Sequence, residues 1–318
     1  MKKYESLKKV ELHCHLDGSL NPLKVSKWTR KDKAFVESKL VLKEKGSLTD
    51  YLKMFDYSIG LLQTKARLTD AAEQLCKDLM EDNCIYAEVR FDPAAHTKKG
   101  LTLQEVIEAV LEGIKKTKLK AKVILCMKRE RTIEENKKIV DLAKKYAKKG
   151  VVAVDLAGDE TITPLRKFKE LFSYAKLQGV PFVIHAGETG DFKEIDTAIG
   201  FGAARIGHGV QAIKSFEVME KLKKKDIPLE ICVTSNMALD LFEKYEEHPI
   251  SRLIDSGVAV TINTDNRTLV NTTLTDEYNM LNRHFGLTSK EFDELNRIAV
   301  LHSFLSDKEK KELLKEFN

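Results

Sequence analysis

A (β/α)₈ barrel, the TIM-barrel architecture, is the fold class the sequence predicts, and three observations predict it. Short β-branched runs alternate with amphipathic helical stretches along the whole chain, a rhythm that builds parallel βαβ units, and eight such runs occur. Several helical stretches end in glycine just before the next run, at Gly150, Gly179 and Gly257, where a residue tolerant of positive φ stops a helix. The length of 318 residues is somewhat above the ~250 typical of such a barrel, so one domain, 1–318, accommodates the chain.

The first strand is expected at 10–17 (VELHCHLD), and most of the extra length follows it. There, 47–59 (SLTDYLKMFDYSI) has helical spacing, so extra helices are expected between strand 1 and strand 2, over the barrel mouth. Strand 2 is 84–92 (CIYAEVRFD), followed by helix 103–117; strand 3 is 121–128 (AKVILCMK), followed by helix 133–149. Strand 4, 151–157 (VVAVDLA), leads into helix 165–178, and strand 5 is 181–187 (PFVIHAG). Strand 6, 204–209 (ARIGHG), precedes helix 214–225, strand 7, 228–236 (PLEICVTSN), precedes helix 246–256, and strand 8 is 258–265 (VAVTINTD). A Rossmann-like open sheet is the rival. Its best motif, Gly200-Phe-Gly202-Ala-Ala-Arg205, lacks the sixth-position glycine and precedes a strand instead of following one.

Composition excludes several function classes. The net charge of +5 is spread as lysines alternating with acids, as in KSFEVMEKLKKKD and SDKEKKELLKEF, which is the pattern of a solvated helix face. With no basic stripe interleaved with aromatics, no nucleic-acid partner is expected. No run approaches the ~18 apolar residues of a membrane helix, so no membrane partner is expected either. Five scattered cysteines, Cys14, Cys76, Cys84, Cys126 and Cys232, fit free thiols better than a disulfide framework. The basic start MKKYESLKKV leads into no apolar segment, so no secretory signal is read and the cytoplasm is the expected compartment.

Strand parity points to the chemistry, because side chains alternate faces with period two. In strand 1, Val10, Leu12, Cys14 and Leu16 fall on one face, and Glu11, His13, His15 and Asp17 on the other. A barrel strand covered on both faces should be apolar on both, so this polar face is an anomaly. Strand 8 repeats it with Thr261, Asn263 and Asp265, and strand 5 does so with His185 followed by Glu188. His13, His15, His185, His208, Glu188 and Asp265 all fall at C-terminal strand ends, where barrel active sites are built. Two imidazoles at i and i+2 can share one metal ion, with a third from across the barrel and a carboxylate completing the set; this reads as a His₃Asp zinc site. Cys14 is turned toward the helices and read as packing, while His96, His248, His284 and His302 are read as ordinary core or surface histidines.

Six motifs, in order on successive strands, carry a resemblance: His13-Cys-His15-Leu-Asp17-Gly18-Ser19, Asp155-Leu-Ala-Gly158-Asp-Glu160, His185-Ala-Gly187-Glu188, Gly207-His208-Gly209, Thr234-Ser235-Asn236 and Asn263-Thr-Asp265. Together they resemble the adenosine deaminases of the amidohydrolase superfamily, from about residue 8 to the C-terminal SFLSDKEKKELL. The resemblance implies hydrolytic deamination of adenosine and 2′-deoxyadenosine to inosine and deoxyinosine plus ammonia, a step of purine salvage, with one Zn²⁺ per chain and a purine nucleoside as partner. It implies that His13, His15, His185 and Asp265 bind the metal and that Glu188, His208 and Asp265 are catalytic. Glu188 would protonate the purine ring and His208 would position the attacking water. It also implies substrate contacts from His15, Asp17, Gly158 and Asn266, with Asp17 on the ribose 5′-hydroxyl and the Gly158 amide on ring N3.

Elementary chemistry agrees. Attack at C6 requires hydroxide, which neutral water hardly supplies until a metal lowers its pKa to about 7. Charge then develops on N1, so an acid must donate there, which Glu188 can do only if burial keeps it protonated. One departure from many relatives is Asn266, where they carry a second Asp. Purine N7 only accepts, so an Asp there must be protonated to donate, whereas an Asn amide donates at any pH. Tyr51, Leu52 and Phe55 form a helical apolar face resembling the family's gate over the ribose. The rivals are a sister deaminase of adenine or a modified adenosine, and a catalytically silent nucleoside-binding protein.

Overall fold

The computed structural model describes residues 3–317; Met1, Lys2 and Asn318, the ends of the expected domain, lie outside the described residues. Eight parallel strands pair in sequence order: β1 (Lys9–His15), β2 (Cys84–Phe91), β3 (Lys120–Lys128), β4 (Val151–Ala157), β5 (Phe182–Ala186), β6 (Arg205–His208), β7 (Leu229–Ile231) and β8 (Val260–Ile262). The residues after β8 return to β1, where Asp265 N donates to His13 O at 2.8 Å and His15 N to Asp265 O at 2.7 Å. That contact closes the (β/α)₈ barrel.

All eight expected strands form, but the last two are shorter than their apolar runs suggest. Thr234-Ser235-Asn236, read as the end of strand 7, lies in a helix, and Asn263-Thr264-Asp265 lies beyond β8. Short apolar runs do not by themselves separate strand from buried helix. Between β1 and β2 come α1 (Pro22–Thr29), α2 (Lys33–Leu40), α3 (Leu48–Lys53), α4 (Phe55–Leu61) and α5 (Lys65–Glu81). The expected cover over the mouth is therefore two short helices, α3 and α4. The later helices are α6 (Leu103–Lys115), α7 (Ile133–Tyr146), α8 (Lys169–Gln178), α9 (Phe192–Phe201), α10 (Phe216–Lys225), α11 (Val233–Ala238), α12 (Ile250–Asp255), α13 (Leu274–Phe285), α14 (Ser289–His302) and α15 (Asp307–Leu314). Four of them start on reciprocal capping boxes, such as Thr132 with Glu135 on α7, which satisfy the free amides of the first turn.

The parity read for strand 1 fails at one point. Glu11 pairs with Ala87 and Cys14 with Val89, so three steps of β1 pass two of β2 and one residue is extra. Such a bulge re-aims side chains. Leu12 therefore packs with Val10 and Tyr86, while Cys14 and Leu16 join the main core against the helices. Glu11, expected to share a face with His13 and His15, turns its carboxylate back to accept from Thr264 N at 3.1 Å, Thr264 Oγ1 at 2.7 Å and the backbone N–H of His13 at 2.9 Å. Burial pushes its carboxyl up to about 7.

Candidate active site

The strand ends surround one cavity. Its wall takes His15 and Asp17 after β1, Lys128 from β3, Gly158 after β4, His185 and Glu188 from β5 and its loop, His208 from β6, and Asp265 and Asn266 after β8. Leu48, Tyr51, Leu52, Phe55 and Ile59 of α3 and α4 cover it. His13 lies fully buried beneath, so the structure brings together every candidate that the sequence singled out at this mouth.

At the cavity floor, one potential ligand atom from each of His13, His185, His208 and Asp265 lies within 4.8 Å of the others. His15 adjoins them, with its Nε2 and that of His13 each 3.4 Å from Asp265 Oδ1. The Nδ1 atoms face away from the centre: His13 Nδ1 pairs with Glu230 Oε2 at 2.8 Å and His185 Nδ1 with Asp155 Oδ1 at 3.0 Å. That arrangement leaves the Nε2 lone pairs directed inward, and His13 Nε2 is buried without a hydrogen-bond partner. A neutral imidazole held at Nδ1 by a carboxylate is the standard form of a metal-binding histidine, so the donor set fits a divalent cation. Cys14 takes no part: its buried thiol touches Ser19 Oγ at 3.4 Å, and burial pushes it up to about 12.

The backbone is specialised here. His208 and Asp265 have φ of 61° and 59°, left-handed values that non-glycine residues hold only where surrounding contacts fix them. Gly207 lies so close to the histidines that a Cβ would stand 3.2 Å from both His13 Cε1 and His185 Cγ. Gly158 was expected to be glycine so that a ring could approach. In the structure its φ of 106° and the Glu130 carboxylate, 2.5 Å from where a Cβ would sit, already require glycine.

Glu188 stands on the loop after β5, which Glu160 holds by accepting from Gly187 N at 2.8 Å, Gly190 N at 2.6 Å and Thr189 N. Burial first, then the charges of Asp265 and Glu160, raise the Glu188 carboxyl well above the usual value, which favours its protonated form. Its Oε1 accepts from Asn236 Nδ2 at 3.1 Å and lies 3.2 Å from His208 Nδ1. Burial and neighbouring His13 hold His208 well below the ordinary histidine value, so it is a neutral imidazole.

Asp17 faces the cavity with Oδ1 buried and without a partner, and the N-terminus of α1 is capped by Asn21. Burial first, and Asp92 after it, push Asp17 up to about 6, against the pull of Lys128. Asn266 donates Nδ2 to the Tyr51 hydroxyl at 2.8 Å, and that hydroxyl meets Ser235 Oγ at 3.2 Å. Tyr51 thus gives the cover a polar tip as well as an apolar face.

Sequence reasoning missed the groups beneath the histidines. Arg90, fully buried, donates to Asp155 Oδ2 at 2.9 Å and Glu230 Oε2 at 2.8 Å, and so ties together the partners of His185 and His13. Arg205 continues the chain to Glu230 and Glu88. The available signal was the same parity break used on β1: Glu88 and Arg90 interrupt the apolar run of β2.

Comparison with known proteins agrees with this geometry. The sequence model of the adenosine deaminase family matches residues 8–318. The chain is 40% identical over 329 aligned residues to the adenosine deaminase of Clostridium botulinum, covering 99% of this chain and 98% of that protein. It is 38% identical to the adenosine deaminase of Enterococcus faecalis, covering 97% and 95%. Among solved structures, Arabidopsis ADAL complexed with IMP superposes with a TM-score of 0.88 at 28% identity, covering 100% of this chain and 98% of that one. Over nearly its whole length, in sequence and in barrel geometry, this chain belongs to the adenosine deaminase family, enzymes that hydrolyse carbon–nitrogen bonds.

Proposed function

We propose that the chain, acting as one domain over 1–318 in the cytoplasm, is a zinc-dependent enzyme. It converts adenosine and 2′-deoxyadenosine to inosine and deoxyinosine with release of ammonia. The observation that carries this reading is the unpartnered Nε2 of His13, buried among His15, His185 and Asp265 directly below a cavity walled by Glu188, whose carboxyl burial raises well above its usual value. His13, His15, His185 and Asp265 would hold one zinc ion. When bound, zinc lowers the pKa of water to about 7 and so supplies the nucleophile at neutral pH.

The remaining steps belong to the chain's own side chains. His208 positions the attacking water as the bond to C6 forms, and the Asp265 carboxylate, which shares that task, takes the water's proton. Glu188 delivers its proton to N1, which relieves the charge that attack places on the ring. The proton taken from the water then passes to N6, the C6–N6 bond breaks and the amine leaves as ammonia, while the hydroxyl at C6 gives its proton back to Glu188 and becomes the carbonyl of the product. Asp17 accepts from the ribose 5′-hydroxyl, the Gly158 amide faces N3, His15 borders the sugar side, and Asn266 offers an N–H to N7, while α3 and α4 exclude water.

A panel of adenosine, 2′-deoxyadenosine, adenine and AMP, followed by ultraviolet absorbance, tests this. Both nucleosides are expected to turn over with higher kcat/KM than adenine or AMP, and metal analysis should find about one zinc per chain. AMP belongs in the panel because Lys128 lines the cavity and because the Arabidopsis relative holds IMP. A preference for AMP or adenine would overturn the substrate; a metal-free preparation with full activity would overturn the zinc.

Asp17 separates a nucleoside from a free base. Charge-assisted hydrogen bonds contribute ~1.5–3 kcal/mol, so Asp17→Ala is expected to lower kcat/KM for adenosine roughly tenfold to a hundredfold with zinc retained. The loss should be much smaller for 5′-deoxyadenosine, which lacks the partner hydroxyl. With its carboxyl pushed up to about 6, Asp17 gains its charge as pH rises through that value, so the difference between the two substrates should widen above it. Equal fractional losses on both substrates would assign Asp17 to the scaffold.

A further inference from the structure

Behind Glu188 lies a hydrogen-bond relay whose direction is fixed at its far end. Ile250 N, a backbone amide that can only donate, points at His248 Nδ1 at 3.2 Å. His248 Nδ1 must therefore be the bare nitrogen, which puts the single ring proton on Nε2. Burial, which pushes this imidazole down to about 3, leaves no second proton at working pH. His248 Nε2 lies 3.2 Å from Asn236 Oδ1, so the contact is an N–H donating to the amide oxygen. Asn236 is then held with its nitrogen on the other side, where Nδ2 meets Glu188 Oε1 at 3.1 Å and His208 Nδ1 at 3.3 Å. Asn236 and His248 are both buried, at 0% and 2% exposure, so no solvent competes for these bonds.

We infer that His248 is a positioning residue for the deamination: through Asn236 it reserves Glu188 Oε1 as an acceptor and so leaves Oε2 as the oxygen that carries the proton to the purine. The inference rests on the reading of Glu188 as the acid. Without the His248 donor, the Asn236 amide can turn over and offer Oδ1 to Glu188, where it would accept the proton meant for the ring. The effect falls on proton delivery and not on ground-state binding, so it belongs in kcat and not in KM.

The test compares the wild type, His248→Leu, His248→Gln and isosteric Asn236→Asp, with His248→Leu repeated in the Glu188→Gln background. His248→Leu is expected to lower kcat for adenosine about tenfold, the scale of one hydrogen bond to an ionisable group, with KM and inosine affinity changed by less than about twofold. His248→Gln, whose amide can place an N–H near the position of Nε2, should restore most of the loss. Asn236→Asp, which replaces the N–H facing Glu188 by an acceptor, should lose kcat in the same way and keeps the test decisive if His248→Leu does not fold. In the Glu188→Gln background, His248→Leu should add nothing, since coupled groups are non-additive. Unchanged kcat in Asn236→Asp, failure of His248→Gln to restore kcat, or an equal loss from His248→Leu in both backgrounds overturns the relay. Loss of activity in none of the Glu188 variants would instead overturn the reading of Glu188 itself.

Discussion

Glu188→Gln is expected to retain the metal and the affinity for inosine while lowering turnover of adenosine at least ~100-fold, the scale of general acid catalysis. The amide keeps the shape and can still meet Asn236 and His208, but it has no transferable proton. The pH dependence gives a second readout. Burial, Asp265 and Glu160 raise the Glu188 carboxyl well above its usual value, so the acid form is present below that raised value and is lost as pH climbs through it. The wild type should therefore show an alkaline fall in kcat that Glu188→Gln lacks. Near wild-type turnover by the glutamine variant, measured by loss of adenosine absorbance, would assign the proton to another group.

How much of this site could be read from the sequence depended on distance along the chain. The β-branched rhythm placed eight strands because each run is local, and parity singled out His13, His15 and His185 because period two is a property of one strand. The same argument misplaced Glu11, since the extra residue between Glu11 and Cys14 is visible only in the pairing with β2. Thr234-Ser235-Asn236 was recognisable as a motif but not as the helix α11, because a short apolar run that ends a barrel strand looks like its continuation. Glu230 meets His13 across 217 positions of chain and Asp155 meets His185 across 30, Arg90 reaches the histidines through those two carboxylates, and His248 reaches Glu188 through Asn236. No spacing rule in one sequence links such residues. A buried charge on a strand indicates only that a partner must exist, not which residue it is.

Arg90 is where this unread layer carries the greatest energetic consequence. It is fully buried and gives Nη1 to Asp155, and Nη2 to Glu230 and to Leu12 O at 2.6 Å. Burial opposes the charge on both carboxylates, yet His185 and Arg90 hold Asp155 well below the usual range, and Arg90 with Arg205 does the same for Glu230. A buried pair of this kind adds little over an apolar substitute, but removing one member strands the other without compensation, at ~3–5 kcal/mol. Arg90→Met removes one cation from two anions. It is expected to cost the full range and to lower Tm by roughly 10 °C, measured by calorimetry on the metal-free protein. The sign of the pH effect follows from the depressed carboxylates: their contribution is present at neutral pH and is lost as pH falls through their folded values, so the deficit of Arg90→Met should shrink in acid. A role in holding the histidines predicts something further. With Glu230 and Asp155 no longer fixed, His13 and His185 lose their orientation, and zinc affinity should fall ~10- to 100-fold, the usual cost of disturbing such partners. Arg90→Lys, which can reach one carboxylate but not fork to both, should recover part of the stability and less of the zinc affinity. A variant that is destabilised as expected yet binds zinc with wild-type affinity would limit Arg90 to the barrel's charge balance and separate it from the metal centre.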